Sequence, residues 1–324
     1  MLTILSLALA GSLSHYFFHH KYGKKVFLWG SLATVFPEVD SLIYIPNSPG
    51  LNLVVKNAFT HSFLLSPLFA LFLSLIIFRW NKKRGIKFCF FDLTMISMIG
   101  IAVRLLLDLL ASSGTAVLWP LSFKRYSLDL IPSFDLLLLI PIIFFTGLTL
   151  VKKNIRFNFF VWGIFLFYLF FAFLQQNQAY TEQSKLILKR GELVAKKRVF
   201  PLGDSIFSWR SLTRTSEKIY YDKIVCFPLV VPSVRVEGQL LLAKKDQLLT
   251  TYLNKENIES NFENFSKYAD GFISFLQTKD ADFQIVADVR HSLDLENFGG
   301  QLQMKINRAK SLSPVRIEHG KQYE

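Results

Sequence analysis

Residues 157–178 read FNFFVWGIFLFYLFFAFLQQNQ: from Phe157 to Leu174 there is no charged side chain, and at Gln175 the chain turns abruptly polar. An uncharged apolar run of this length suits a helix crossing a hydrocarbon core of about 30 Å. Working back toward the N-terminus, five more runs approach that length, roughly Leu2 to Phe18, Val26 to Ile45, Phe59 to Phe78, Phe88 to Leu110 and Phe134 to Val151. The composition agrees, with 51% apolar and 15% aromatic residues and a mean hydropathy of +0.33. A fully soluble protein is excluded. The expected fold is an α-helical multi-pass membrane domain of about six spans over residues 1–174, followed by a soluble α+β domain over residues 175–324.

The net charge of +13 is concentrated in the greasy half, as short clusters between apolar runs. That pattern belongs to membrane topology determinants and not to a nucleic-acid face, so the lipid bilayer is an expected partner and nucleic acid is not. Lys21, Lys24 and Lys25 follow the first run, Arg79, Lys82, Lys83, Arg84 and Lys87 the third, and Lys152, Lys153 and Arg156 the fifth. The intervening links hold only Lys56, and Lys124 with Arg125. By the positive-inside rule the basic links are cytoplasmic, which places the C-terminal domain outside the cytoplasm. In that domain, alternating stretches at Val194 to Val199, Lys218 to Val225, Ser233 to Leu242 and Phe283 to Val289 read as strands, and Lys255 to Phe275 as a helix.

Acidic residues in or at the ends of apolar spans cost several kcal/mol each, so each needs a reason. Glu38 and Asp40 end the second run, His61 lies in Thr60-His61-Ser62 at the start of the third, Asp108 lies near the end of the fourth and Asp135 opens the fifth. The expected topology brings all five to one membrane face. Carboxylates and an imidazole converging there are the donor set of a divalent metal, with zinc, manganese or iron the ions such ligands take in hydrolytic sites. The plainer reading is that residues near span ends reach headgroups and water. His15 and His19, spaced i,i+4, sit with His20 at the basic end and are read as interfacial. Cys89 and Cys226 fall in different halves, so no disulfide framework follows, and both read as small buried hydrophobes.

At these residues the chain resembles a family. Gly23-Lys24-Lys25 before Leu28-Trp29-Gly30-Ser31-Leu32-Ala33, then Pro37-Glu38-Val39-Asp40, Phe59-Thr60-His61-Ser62, Leu107-Asp108, Gly114-Thr115, Arg125-Tyr126-Ser127 and Asp135 look like the membrane-bound metal-dependent hydrolases, the YdjM/YbcI-like inner-membrane proteins. Phe207-Ser208-Trp209-Arg210 and Asp288-Val289-Arg290 look like the extracytoplasmic tail of its longer members. The resemblance implies a multi-pass inner-membrane protein. It also implies metal-dependent hydrolysis, with the metal held by Glu38, Asp40, His61 and Asp108, zinc or manganese foremost; the expected place of these residues at the extracytoplasmic membrane face suggests a lipid or envelope ester as the substrate. This chain departs from the family pattern where histidines are expected: Lys56-Asn57-Ala58 precedes the Thr-His-Ser, Arg104 stands one helical turn before Asp108, and Leu5-Ser6-Leu7 replaces an N-terminal Thr-His. Arg104 and Lys56 can neutralise the acids without a metal. Either Arg104 points away and Asp108 ligates, or the two pair and Asp108 is lost as a ligand. Two other readings stand beside the hydrolase: a degenerate, non-catalytic membrane scaffold or binding protein, and a transporter using the same acids as an ion path.

Overall fold

The computed structural model describes residues 1–42, 49–55, 58–152, 154–203, 205–227, 230–248, 255–276, 283–291, 302–307 and 315–319. Two compact units are formed, one from Met1–Leu42, Asn57–Gln176 and Gly203–Ile206, the other from Ile43–Lys56, Asn177–Leu202 and Phe207–Glu324.

In the first unit, helix α1 (Leu2–Tyr22) turns at Gly23 into α2 (Lys25–Ala33), and a 3₁₀ helix (Phe36–Leu42) follows. Gly23 has φ 64°, a conformation glycine adopts without a Cβ penalty. The chain crosses to the second unit as α3 (Pro49–Val55) and returns for α4 (Ser66–Lys83), α5 (Phe90–Leu110), α6 (Leu136–Lys152) and α7 (Phe157–Arg190), whose last part belongs to the second unit. Small residues let the helices approach. A Cβ on Gly30 would stand 2.6 Å from Ser14 Cβ on α1, and one on Gly100 would stand 2.5 Å from Ala33 Cβ and 2.7 Å from the Gly30 carbonyl. Such contacts hold helices together where lipid removes the hydrophobic driving force between them.

About six spans are not what forms. Among the described residues two helices are long and apolar enough to cross a membrane by length and composition, α5 and α7, and α6 is a shorter apolar helix. The physical reasons are local. The expected second span yields a nine-residue helix of about 14 Å, broken before Pro37. The expected third span becomes helical only at Ser66, where Pro67 sits in the first turn, so Phe59–Leu65 runs as turns. In α4 the last turns carry Arg79, Lys82 and Lys83, and α1 is diluted by Ser6, Ser12, Ser14 and His15.

In the second unit, β1 (Lys196–Pro201), β2 (Ser208–Arg214), β3 (Lys218–Val225) and β4 (Ser233–Leu241) form an antiparallel meander. A second meander contains β5 (Ile273–Leu276), β6 (Phe283–Asp288), β7 (Leu302–Asn307) and β8 (Val315–His319). Helix α8 (Lys255–Tyr268) lays Ile258, Phe262 and Phe265 on Ile273, Val286, Met304 and Ile306 of the second sheet. It stops seven residues short of the expected end because Asp270 (φ 56°) and Gly271 (φ 76°) turn the chain into β5. The end of α7 covers the first sheet: Ala179 and Tyr180 pack on Val199, Trp209, Ile224 and Cys226. One turn on, the Gln183 amide donates to the Leu212 and Arg198 carbonyls.

Candidate functional site

The four residues expected as metal ligands do come together in the first unit, around a fifth that governs what they can do. Glu38 and Asp40 sit on the 3₁₀ helix, His61 on the turns leading into α4, and Arg104 and Asp108 one turn apart near the end of α5. Asp40, His61, Arg104 and Asp108 are all buried. The Arg104 Nε donates to Asp108 Oδ2 at 3.1 Å, and its Nη2 contacts Glu38 Oε1 at 2.7 Å. Of the two arrangements the sequence allows, pairing of Arg104 with Asp108 is the one that forms. His61 Nδ1 donates to the same Asp108 oxygen at 2.8 Å, because an ionised carboxylate only accepts. Nε2 stands 3.8 Å from Asp40 Oδ2.

Around this cluster, hydroxyls fix the backbone. Thr60 Oγ1 donates to the Pro37 carbonyl at 2.6 Å, which ties the Thr-His-Ser turn to the acid-bearing 3₁₀ helix, and Ser62 Oγ donates to the Trp119 carbonyl. Thr3 Oγ1 lies 3.3 Å from Glu38 Oε1 and 3.4 Å from Arg104 Nη1, bringing the start of α1 into the network. Sequence reading missed Thr3, and no local signal marks a partner 101 residues from Arg104. Lys56, expected beside the cluster, lies outside the described residues. Asp135 does not join: its Oδ1 accepts the Leu137 N–H at the start of α6 and its Oδ2 accepts the Tyr168 hydroxyl.

The basic end of the unit is equally organised. Asp92 accepts Tyr22 Oη at 2.6 Å and pairs with Lys21 at 3.1 Å, so the end of α1 meets the start of α5, and Lys24 reaches the Leu150 carbonyl, which joins the α1–α2 turn to the end of α6. His15 is buried within the unit. It accepts from Asn158 Nδ2 at 3.2 Å, and Ser12 donates to Asn158 Oδ1 at 3.0 Å. Helix α7 therefore starts beside α1 near this end. By Gln176 it donates to the carbonyls of Leu128 and Asp129, which follow α5 at the opposite end. Of the cysteines, Cys89 is exposed at the start of α5, whereas Cys226 is buried and its thiol is pushed up to about 11 by that burial, which removes it as a nucleophile near neutral pH.

A divalent metal does not fit the cluster as it is formed. Asp108 Oδ2 already takes two donors and Glu38 Oε1 takes the guanidinium, a cation that cannot be discharged and repels another. Among the described residues no group of three or more His, Cys, Asp or Glu is arranged to hold a metal ion. A family model described as YdjM inner membrane protein matches residues 1–179, more than half of the 324-residue chain. No curated protein and no solved structure matches the chain.

Proposed function

Because the chain belongs to the YdjM inner membrane protein family, we propose that it works in that membrane as a non-hydrolytic scaffold or binding protein. Its acidic cluster is closed by Arg104 instead of a metal. The observation that carries this reading is the guanidinium seated between Asp108 and Glu38. In this role the network is a latch joining α1, the 3₁₀ helix, the Thr-His-Ser turn and α5. The working surface is then on the C-terminal unit. Metal analysis of the detergent-purified protein tests it: zinc and manganese are expected well below one per chain, with a melting temperature indifferent to chelator. Arg104→His, which restores an imaginable ligand and removes the fixed cation, is expected to raise metal content. Stoichiometric metal in the native protein, lost in His61→Ala, would overturn the reading.

One observation favours the second reading, metal-dependent hydrolysis of a lipid or envelope ester. His61 Nε2 and Asp40 Oδ2, at 3.8 Å, are spaced as two ligands of a shared ion, with Asp108 orienting the ring from behind. That reading needs Arg104 to swing out before Glu38 and Asp108 can ligate.

The two unlike ends of the first unit support an orientation with the C-terminal unit outside the cytoplasm. Lys21, Lys24, Lys82, Lys83, Lys87, Lys152 and Arg156 gather where α1, α4 and α6 end and α5 and α7 begin. Basic residues flanking membrane helices stay in the cytoplasm. The polar cluster and everything after Gln176 then face outward. A reporter fused after Lys83 is expected to act as cytoplasmic and one fused after Gln178 as extracytoplasmic; both on one side would refute the orientation.

A further inference from the structure

The connection between β3 and β4 has the wrong chemistry for a water-exposed hairpin. From Val225 to Pro232 the sequence has no charged side chain, and beyond the buried Cys226 three apolar residues are exposed: Phe227 48%, Val230 56% and Val231 87%. Hairpin connections are normally polar, since they face water. Phe227 and Cys226 are also held in place. Phe207, from the neighbouring β1–β2 connection, stacks on Phe227 with ring centroids 5.2 Å apart, and the Cys226 N–H donates to the Phe207 carbonyl at 2.8 Å.

Two further observations say what covers it. Just above the tip, Lys223 on β3 is directly opposite Arg235 on β4. Glu237, two residues beyond Arg235, pairs with Arg210, the residue opposite Lys223 on β2, so this row keeps an excess of positive charge. Like charges facing each other across strands destabilise a sheet unless an anion lies beside them. Cations on the edge strand alone would serve to keep β4 from pairing with another chain. That task does not need an exposed apolar tip. The second observation is position along α7. Ala179 and Tyr180 pack against Cys226 and Trp209 at the tip end of the sheet, while Arg190, three turns later, pairs with Asp222 at 2.6 Å. Ala179 is five residues beyond Leu174, the last residue of the apolar run, or about 7.5 Å of helix rise. The tip is thus at the end of the sheet that α7 covers as it enters the second unit.

We infer that the β3–β4 tip, Phe227 with Val230 and Val231, seats in the outer surface of the same bilayer, with Lys223 and Arg235 reaching anionic phosphate headgroups. The aliphatic stems lie along the tip while the charged ends stay in the headgroup layer. Burying valine and phenylalanine side chains favours insertion, and each cation near an anionic surface favours it further. This contact holds the second unit down on the membrane, and it stands whether or not the polar cluster binds metal.

The test uses the full chain in phosphatidylcholine vesicles, with and without phosphatidylglycerol. In a Cys89→Ser background, Val231→Cys carries an environment-sensitive fluorophore, and Ser216→Cys, exposed at the far end of the sheet, carries the same label as control. A lipid-borne nitroxide is expected to quench the label at 231 and aqueous iodide to reach only the one at 216. Lys223→Gln with Arg235→Gln is expected to lower the docked-to-undocked ratio on the order of tenfold in the anionic vesicles, with little change in the neutral ones. Quenching at 231 by iodide as strong as at 216 would sink the proposal. Protection of 231 from both quenchers would sink it too, since protein then covers the tip. A double variant insensitive to phosphatidylglycerol would refute the headgroup contact.

Discussion

Arg104→Leu is expected to lower the stability of the N-terminal unit by about 3–5 kcal/mol, the cost of leaving a buried ion pair half made. Asp108 is only 6% exposed and receives the guanidinium on the same oxygen that takes His61 Nδ1–H. Without Arg104, the buried Asp40 and Asp108 and the partly exposed Glu38 face one imidazole, and Glu38 and Thr3 lose a group that joins them to α5. Heating the detergent-solubilised protein and following the surviving monodisperse fraction should show a fall in melting temperature of roughly 10 °C. Arg104→Lys separates charge from geometry. A lysine keeps the positive charge but cannot span Asp108 and Glu38 with one planar fork, so it should recover only part of the loss. A melting temperature indifferent to Arg104→Leu would mean that the acids are held by something else, and would return the metal reading to first place.

How much of this was legible depended on whether the signal was local. The Arg104–Asp108 pair was readable because i,i+4 on a helix puts two side chains on one face whatever surrounds them. The convergence of Glu38, Asp40 and His61 was inferred from an expected topology. The structure reaches it by another route, through a Thr60–Pro37 hydrogen bond between a 3₁₀ helix and a turn. The span count failed because apolar runs report what surrounds a segment and not where a helix starts and stops. Pro37 and Pro67 were the stop and start marks, and their steric effects outweighed the hydropathy of Val26 to Ile45 and Phe59 to Phe78. The same distinction operates at Gln175. The composition changes there because the surroundings change, yet the helix itself runs on to Arg190.

Other features had no local mark at all. Helix α3 lies between Asp40 and His61 in sequence but belongs to the C-terminal unit, where the Gly50 N–H donates to Asn261 Oδ1 at 2.7 Å and a Cβ on Gly50 would stand 2.8 Å from the Asn261 carbonyl oxygen. Nothing in Pro49-Gly50-Leu51 announces a partner more than two hundred residues away. The basic neighbours of His15 give no sign that it is buried, and its partner Asn158 comes from the far end of the unit's sequence.

The Asp288-Val289-Arg290 triplet, seen in the sequence only as a likeness to the tails of longer family members, has a structural task that predicts an effect as large as that of Arg104. Asp288 ends β6 and its Oδ1 accepts the Arg290 N–H at 3.0 Å, while its Oδ2 accepts Arg290 Nη2 at 2.7 Å. The Arg290 guanidinium also lies 5.4 Å from the centre of the Tyr268 ring. Burial works against that charge, but the adjoining carboxylate outweighs it, and the Arg290 pKa is raised. The residue between them, Val289, is fully buried against Phe200, Leu212 and Phe272, so the clasp pins a core residue in place. Asp288→Leu strands a buried cation and is expected to cost about 3–5 kcal/mol. Asp288→Leu with Arg290→Met removes both charges at similar volume, and most of the loss should return, because a matched apolar pair needs no desolvation of ions. These two variants together with Arg290→Met alone, compared by chemical denaturation of the full chain with a probe in the C-terminal unit, give the coupling energy. A double variant no more stable than the single one would show that Asp288 serves a partner other than Arg290, and the triplet would then have to be read as part of the working surface.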